Sequence, residues 1–440
     1  MKNQNNESRR DFVINSSLMA GGLMTAPLLS KANFFSGTED TIKVAVVGCG
    51  GRGTGAAMQA LSSKQNVKIV AMCDAFKDNL DNCHKALTEE INNSIGELAK
   101  RLDVPEERKF TGFDGYKKAI ALADVVILAT PPGFRPIHFE EAINQGKHVF
   151  MEKPVATDPA GVQKVLATAA IAKQKKLNVV VGLQRHYQNS YRELFKRKDL
   201  IGDITSMQAW WDNDGVWTRP RKAGQTEMEY QMRNWYYFNW LCGDHITEQH
   251  IHNLDVINWF KGSYPVKAQG FGGRQVRTSK EHGEIFDHHF VEFEYADGSI
   301  LNSQCRHMPG TMSRVDELFI GTKGRIACGA ANIKDHSGKI IYQYDSKKEN
   351  NPYQTEHDEL FAAIAKGEYK FADAENGAKS TMTSILGRMA TYSGQMVYWD
   401  KAINSGLDIH PKVYAWDATP PVVPNADGSY PIAIPGITKY

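Results

Sequence analysis

The sequence predicts an α/β protein: a doubly wound parallel sheet, followed by an α+β domain on an open, mostly antiparallel sheet. Three observations carry this. Between residues 42 and 182, continuous apolar runs alternate with helical patterns; such runs suit strands buried on both faces of a parallel sheet and the helices that cover it. A glycine-rich turn joins the first run to the first helical pattern. Beyond Leu183, period-2 strands and hairpin turns such as Asp297-Gly298 take over, which suits an antiparallel sheet.

In chain order, residues 1–37 stand apart. Ser8-Arg9-Arg10-Asp11-Phe12-Val13 precedes the weakly apolar run VINSSLMAGGLMTAPLLS. Twin arginines before such a run read as a twin-arginine export signal, and the run is too short and too rich in small residues for a membrane span. The expectation is a signal peptide and linker, cleaved near residues 30–37, leaving a periplasmic protein without stable membrane insertion. A tail with a chance arginine pair is the alternative. Export in the folded state from a reducing compartment implies free thiols, and the six cysteines form no CxxC pair and no zinc spacing.

Residues 41–182 carry the strands IKVAVVG, VKIVAMCD, ADVVILAT, KHVFMEKP and LNVVVGL, with helix formers between them. Residues 183–410 form the second domain, with strands in ITSMQAWWD, PVKAQGFGG, FDHHFVEFEYADGSILNSQCRHM and GRIACG, and helical patterns at 245–261, 355–366 and 374–404. The Pro- and Asn-rich residues 411–440 are expected to wrap the surface. A chain of 440 residues is too long for one core. Its 52 basic and 50 acidic residues nearly cancel, with no basic tract carrying interleaved aromatics, which argues against nucleic acid as a partner.

The first strand ends in Gly48-Cys49-Gly50-Gly51-Arg52-Gly53, a GxGxxG that opens a helix. Gly48 permits the tight turn, Gly50 admits a pyrophosphate close to the backbone and Gly53 lets helix and strand pack closely. The free N–H groups of the helix start favour phosphates. The next strand ends in Asp74, 24 residues past Gly50, placed for a ribose diol. Together these predict a Rossmann dinucleotide site. Asp74 would repel a 2′-phosphate, favouring NAD over NADP, although Arg52 could accommodate one. The strand ends Thr130-Pro131 and Glu152-Lys153 should border the cofactor, because open parallel sheets bind ligands beyond the carboxyl ends of their strands. With His138, Gly51 and the turn residues, they complete the expected cofactor set.

At these residues the chain resembles the Gfo/Idh/MocA oxidoreductases. The resemblance rests on the glycine turn, Thr130-Pro131, Glu152-Lys153-Pro154, Gly182-Leu183-Gln184-Arg185-His186-Tyr187, the Gly321-Thr322-Lys323-Gly324 turn and the stretch GDHITEQHIHNLDVINWF, Gly243 to Phe260. It implies a nicotinamide cofactor between two domains, a sugar or cyclitol above it, and a homo-oligomer through the C-terminal sheet. It also implies that Lys153 is the catalytic lysine, exchanging a proton with the substrate hydroxyl. Glu248 and His252 match the family's acid and histidine on a helix of the second domain, so His252 is implied as acid/base partner. Two departures stand out: the acid is commonly aspartate, and His250 occupies a position often held by a small residue.

On one helix, His245, Glu248, His252, Asp255 and Trp259 would form a single stripe, with His250 pointing away. A polar face that only bonds its neighbours is the plain alternative. Histidines at i and i+4, as in helical zinc motifs, do not occur, and no metal is expected. Arg185, Tyr187, His245 and Asp255 are candidates for substrate contact, Arg185 and Tyr187 equally for interdomain packing. The segment with Trp210, Trp211, Trp217, Trp235, Tyr236, Tyr237 and Trp240 suits either sugar stacking or an interface between subunits. The pair His288-His289 alternates across a strand and receives no role.

The resulting expectation is an NAD-dependent oxidoreductase acting on a secondary hydroxyl of a sugar or glycoside. Because soluble NAD is scarce outside the cytoplasm, the cofactor should be tightly bound and recycled in place. A glycosidase working through transient oxidation at C3 and elimination is the alternative, weakened by the absence of a Thr-His-Gly-x-Gly segment. A non-catalytic sensor is a third reading, opposed by the joint presence of Lys153 and His252.

Overall fold

The computed structural model describes residues 41–93 and 100–439; the twin-arginine segment lies outside them. Six parallel strands, β1 (Ile42–Val47), β2 (Val67–Asp74), β3 (Lys109–Thr111), β4 (Val125–Leu128), β5 (His148–Met151) and β6 (Val179–Val181), pair in the order β3-β2-β1-β4-β5-β6. Successive residues point to opposite faces and both faces are buried. Val44 and Val46 pack into one core cluster, Ala45 and Val47 into another, which is why these strands read as unbroken apolar runs. β3 escapes the sequence reading because its three residues, Lys-Phe-Thr, carry no apolar run.

The strand order reverses between β1 and β4, opening a crevice at their carboxyl ends. There Gly48 adopts φ +98°, and a Cβ on it would sit 2.4 Å from the Thr130 amide nitrogen. A Cβ on Gly53 would lie 1.8 Å from the Gly48 carbonyl oxygen, so only glycine lets the helix Gly51–Leu61 start this close to β1.

Nine further strands form the second sheet: β7 (Ile204–Asn213), β8 (Lys267–Gly273), β9 (His288–Glu294), β10 (Ile300–His307), β11 (Arg314–Gly321), β12 (Gly324–Ala327), β13 (Asn332–Asp335), β14 (Ile340–Gln343) and β15 (Val397–Tyr398). Their order is β14-β13-β12-β11-β7-β10-β9-β8-β15. Every pairing is antiparallel except β7 with β10. β9 and β10 alternate buried and half-buried residues, and the helices Ile251–Lys261 and Ala374–Ser393 pack against the sheet.

Two expected helices are interrupted. The pattern over 245–261 breaks into His245–Glu248 and Ile251–Lys261. The break falls at Gln249 and His250, whose side chains are drawn to the sheet: His250 Nε2 lies 2.6 Å from Ser303 Oγ, and Gln249 Oε1 2.8 Å from His307 Nε2. The pattern over 374–404 ends at Gly394, a left-handed cap, and resumes as β15 and the short helix Trp399–Ile403.

The helix Pro352–Ala365 lays His357 against Phe150 with ring centroids 4.1 Å apart. The imidazole is fully buried and neither ring nitrogen has a partner. Burial, followed by Arg52, holds its pKa well below that of a free histidine. Below pH about 6.5 the unfolded chain therefore takes up a proton that the folded chain refuses, and stability is lost as pH falls. His357→Phe is expected to stabilise the protein by about 1–2 kcal/mol at pH 7, and by about 2 kcal/mol more at pH 5. Urea midpoints at the two pH values check this.

Candidate active site

A cavity of about 1010 Å³ opens where the carboxyl ends of β1, β4 and β5 face His245–Glu248 and the loop after β7. Gly48, Gly50, Gly51, Arg52, Asp74, Thr130, Pro131, His138, Glu152 and Lys153 all line it. Gly53 does not; it keeps the helix against the turn. The cradle fits a dinucleotide. No side chain caps the helix Gly51–Leu61, and a Cβ on Gly50 or Gly51 would meet nothing within 4 Å, so the backbone presents its N–H groups to open space.

Asp74 holds this turn as well as facing the cavity. One carboxylate oxygen accepts from the Cys49 amide at 2.7 Å, the other from the Phe76 amide at 2.8 Å. Burial raises its pKa, against these N–H groups. Arg52, which could have served a 2′-phosphate, is committed elsewhere: its guanidinium pairs with Glu152 and Glu356 and donates to Gln59 at 2.9 Å.

Arg135, which no motif marks, is buried and ties the two strand ends together. Its Nε donates to the Glu152 carbonyl at 3.0 Å and one terminal nitrogen to the Thr130 carbonyl at 2.6 Å. Burial lowers its pKa to about 10. His138, whose Nδ1 lies 3.2 Å from Thr130 Oγ1, is pushed down by burial to about 3, with Arg135 adding to the effect. It is a neutral imidazole that fixes the Thr130 hydroxyl.

The catalytic candidates meet across the cavity. Lys153 Nζ lies 3.0 Å from Glu248 Oε1 and also donates to the Glu248 carbonyl. His252 lines the same wall, its ring stacked on Trp211 at 5.8 Å. Burial, then the charges of Lys153, Arg185 and Arg52, hold its pKa well below the ordinary histidine value, so it enters neutral and able to accept a hydrogen bond.

Four expected substrate contacts lie elsewhere. Arg185 forms a buried pair with Glu317 of β11. Tyr187 donates to Asp373 at 2.9 Å. Asp255 accepts from His186 at 2.7 Å, Asn376 at 2.9 Å and Ser380 at 2.8 Å. His245 is fully buried behind the cavity wall. None of the four lines the cavity. The broken helix is the reason for the last two: the single stripe drawn through His245 and Asp255 does not exist.

The aromatic segment divides. Trp211, Trp217 and Trp235 reach the cavity; Tyr236, Tyr237 and Trp240 are buried packing; Trp210 lies under Arg314. Gln249, Arg233 and Tyr353, unflagged in the sequence, also line the cavity. Arg233 lies 3.6 Å over the Phe76 ring and forms two bonds to Asp78, of 2.8 and 2.9 Å. Behind this roof, Trp416 of the tail stacks near Phe76 at 5.0 Å and Phe113 at 4.6 Å.

Comparisons with known proteins agree with this architecture. Residues 42–183 match the Gfo/Idh/MocA oxidoreductase family, NAD-binding Rossmann fold. An inositol 2-dehydrogenase of Ralstonia nicotianae is 28% identical over 265 residues, 59% of this chain and 65% of that protein. The chain therefore spans just under two thirds of that relative. Two solved structures share the fold. Scyllo-inositol dehydrogenase from Lactobacillus casei with NAD(H) and scyllo-inositol has a TM-score of 0.60 at 22% identity, over 82% of this chain and 100% of that one. Aldose-aldose oxidoreductase from Caulobacter crescentus complexed with glycerol has a TM-score of 0.62 at 18% identity, with the same coverage.

Proposed function

We propose that the whole chain is an NAD-dependent oxidoreductase acting on a secondary hydroxyl of a sugar, cyclitol or glycoside, a reading supported by the match of residues 42–183 to the Gfo/Idh/MocA oxidoreductase family, NAD-binding Rossmann fold. One observation carries it: Lys153, at the end of a Rossmann strand, and His252, from the second domain, line the same cavity as the glycine turn. The inositol and aldose enzymes named above support the substrate class.

NAD, when bound, supplies the hydride acceptor. The residues supply the rest. Lys153, held by the carbonyl and carboxylate of Glu248, would act as the free amine, taking the proton of the reacting hydroxyl as the hydride leaves the carbon, and as the ammonium would return it in the reverse reduction. His252 stays neutral and accepts from a hydroxyl beside it, so the bound face of the sugar is fixed from two sides. Trp217 and Trp235, ring centroids 6.0 Å apart at the mouth, offer apolar faces to sugar C–H groups.

NAD over NADP is supported by Asp74 at the ribose position and by the committed Arg52. Tight retention is supported by Arg233, which lines the cavity and bridges to Asp78, with the tail packed behind. Export through the twin-arginine segment, to the periplasm, remains part of the proposal. So does a homo-oligomer through the exposed face of the second sheet, where Phe271 is 64% exposed.

Purification, heat denaturation and assay of the supernatant test the proposal. About one NAD per chain is expected, and incubation with inositols, aldoses and glycosides should give a keto-sugar that grows with an added electron acceptor. Free sugar without net NADH would instead mean the redox-neutral glycosidase. Absence of both nucleotide and product would overturn the reading.

A further inference from the structure

We propose that Asp244, His245 and His289 form a closed site for one divalent transition-metal cation, zinc by the chemistry of its donors. The inference stands independently of the cofactor and substrate. It also departs from the sequence expectation, which was of no metal.

The three residues come from two places in the chain. Asp244 and His245 open the short helix His245–Glu248, and His289 lies on the helix-facing side of β9. All three are fully buried, and one donor atom from each lies within 4.8 Å of the others. His245 Nδ1 is 2.8 Å from Asp244 Oδ1, and His289 Nε2 is 3.3 Å from Asp244 Oδ2. Donors of a tetrahedral zinc site with bonds of about 2.1 Å sit about 3.4 Å apart, so a cation needs only small side-chain shifts here. Two imidazoles and a carboxylate are a set that zinc and its neighbours accept.

The second observation is what the histidines lack. Neither nitrogen of His245 has a hydrogen-bond partner, nor does His289 Nε2, although both rings touch the Asp244 carboxylate. Contact without aligned hydrogens is how donors stand around a shared cation. His289 is oriented from its other side, Nδ1 lying 2.9 Å from Thr391 Oγ1, as metal-bound histidines usually are. Asp244 is aimed inward by a left-handed backbone, φ +71°, rare for a residue other than glycine. Its carboxylate is held by the Phe286 amide at 3.0 Å and the Tyr392 hydroxyl at 2.5 Å. His307 stacks on His245 at 4.4 Å with its own Nδ1 buried and unpartnered, a further nitrogen beside the three.

A comparable cluster elsewhere shows the contrast. In Asp158, Asp408 and His410, both histidine nitrogens have partners, with Nδ1 3.2 Å from Asp408 and Nε2 3.3 Å from Thr157, and Asp408 is exposed. That cluster is satisfied as it stands; the one at Asp244 is not. A cation there would pin the start of His245–Glu248 to β9, and with it the Glu248 groups that hold Lys153.

The test uses the full chain, purified without chelator or histidine tag. Elemental analysis is expected to give about one zinc per chain. Stripped protein should melt at least about 5 °C lower and recover on adding zinc, and cobalt(II) should bind in its place with the visible absorption of a tetrahedral site. Asp244→Asn and His289→Gln should each lose the metal. Because such buried changes can unfold the chain, the wild-type measurements decide. Less than about 0.1 metal per chain, with no cobalt spectrum from stripped protein, overturns the proposal. So does a folded His289→Gln variant that keeps the full metal content.

Discussion

Lys153→Met is expected to lower kcat by about a thousandfold while the protein still co-purifies with its nucleotide. The side chain keeps its length and loses only the charged end that lies 3.0 Å from Glu248 Oε1. Stability should change little, because Glu248 remains 14% exposed and water can reach it. Single-turnover reduction of the bound cofactor, compared with nucleotide content, separates a lost proton-transfer group from a lost binding site. A variant that turns over at the wild-type rate would remove Lys153 from the chemistry.

Arg185→Met is expected to act in the opposite way, lowering stability by about 3–5 kcal/mol and leaving KM for the sugar unchanged. The guanidinium pairs with Glu317, which also accepts from Tyr191 at 3.0 Å and Asn253 at 2.7 Å. Burial raises the pKa of Glu317 and Arg185 opposes the rise, so removing the cation leaves a desolvated carboxylate at the junction of β11, the helix Ile251–Lys261 and the segment after β6. Chemical denaturation and steady-state kinetics on the same preparation check both halves. A raised KM at unchanged stability would return Arg185 to the substrate.

These two residues mark where the sequence could be read and where it could not. Lys153 and the glycine turn are legible because their meaning is local: a buried strand, its carboxyl end, and a helix start within a few residues. Arg185 is not, because its partner lies 132 residues away, on β11, which the sequence reading did not place. The same limit explains the histidine stretch. Gln249 and His250 break no helix by their own propensity; contacts with Ser303 and His307 of β10 interrupt it. His289 looked idle as one of a pair on an alternating strand. Its inward side meets Asp244 only because β9 packs near the start of His245–Glu248. Arg135 had no pattern to betray it, since its role is to bond two carbonyls or hydroxyls that only the folded sheet brings together.

The tail has a consequence for the order in which the molecule is assembled. Trp416 packs against Phe76 and Phe113, which line the cavity. The Trp416 carbonyl accepts from Thr226, the Val422 carbonyl accepts from Gln231, and Tyr430 donates to Glu227, all on the loop and helix that roof the site. These tail residues leave the ribosome after every residue they cover. During synthesis, then, the glycine turn and both strand ends are made before the segment that braces the wall over them.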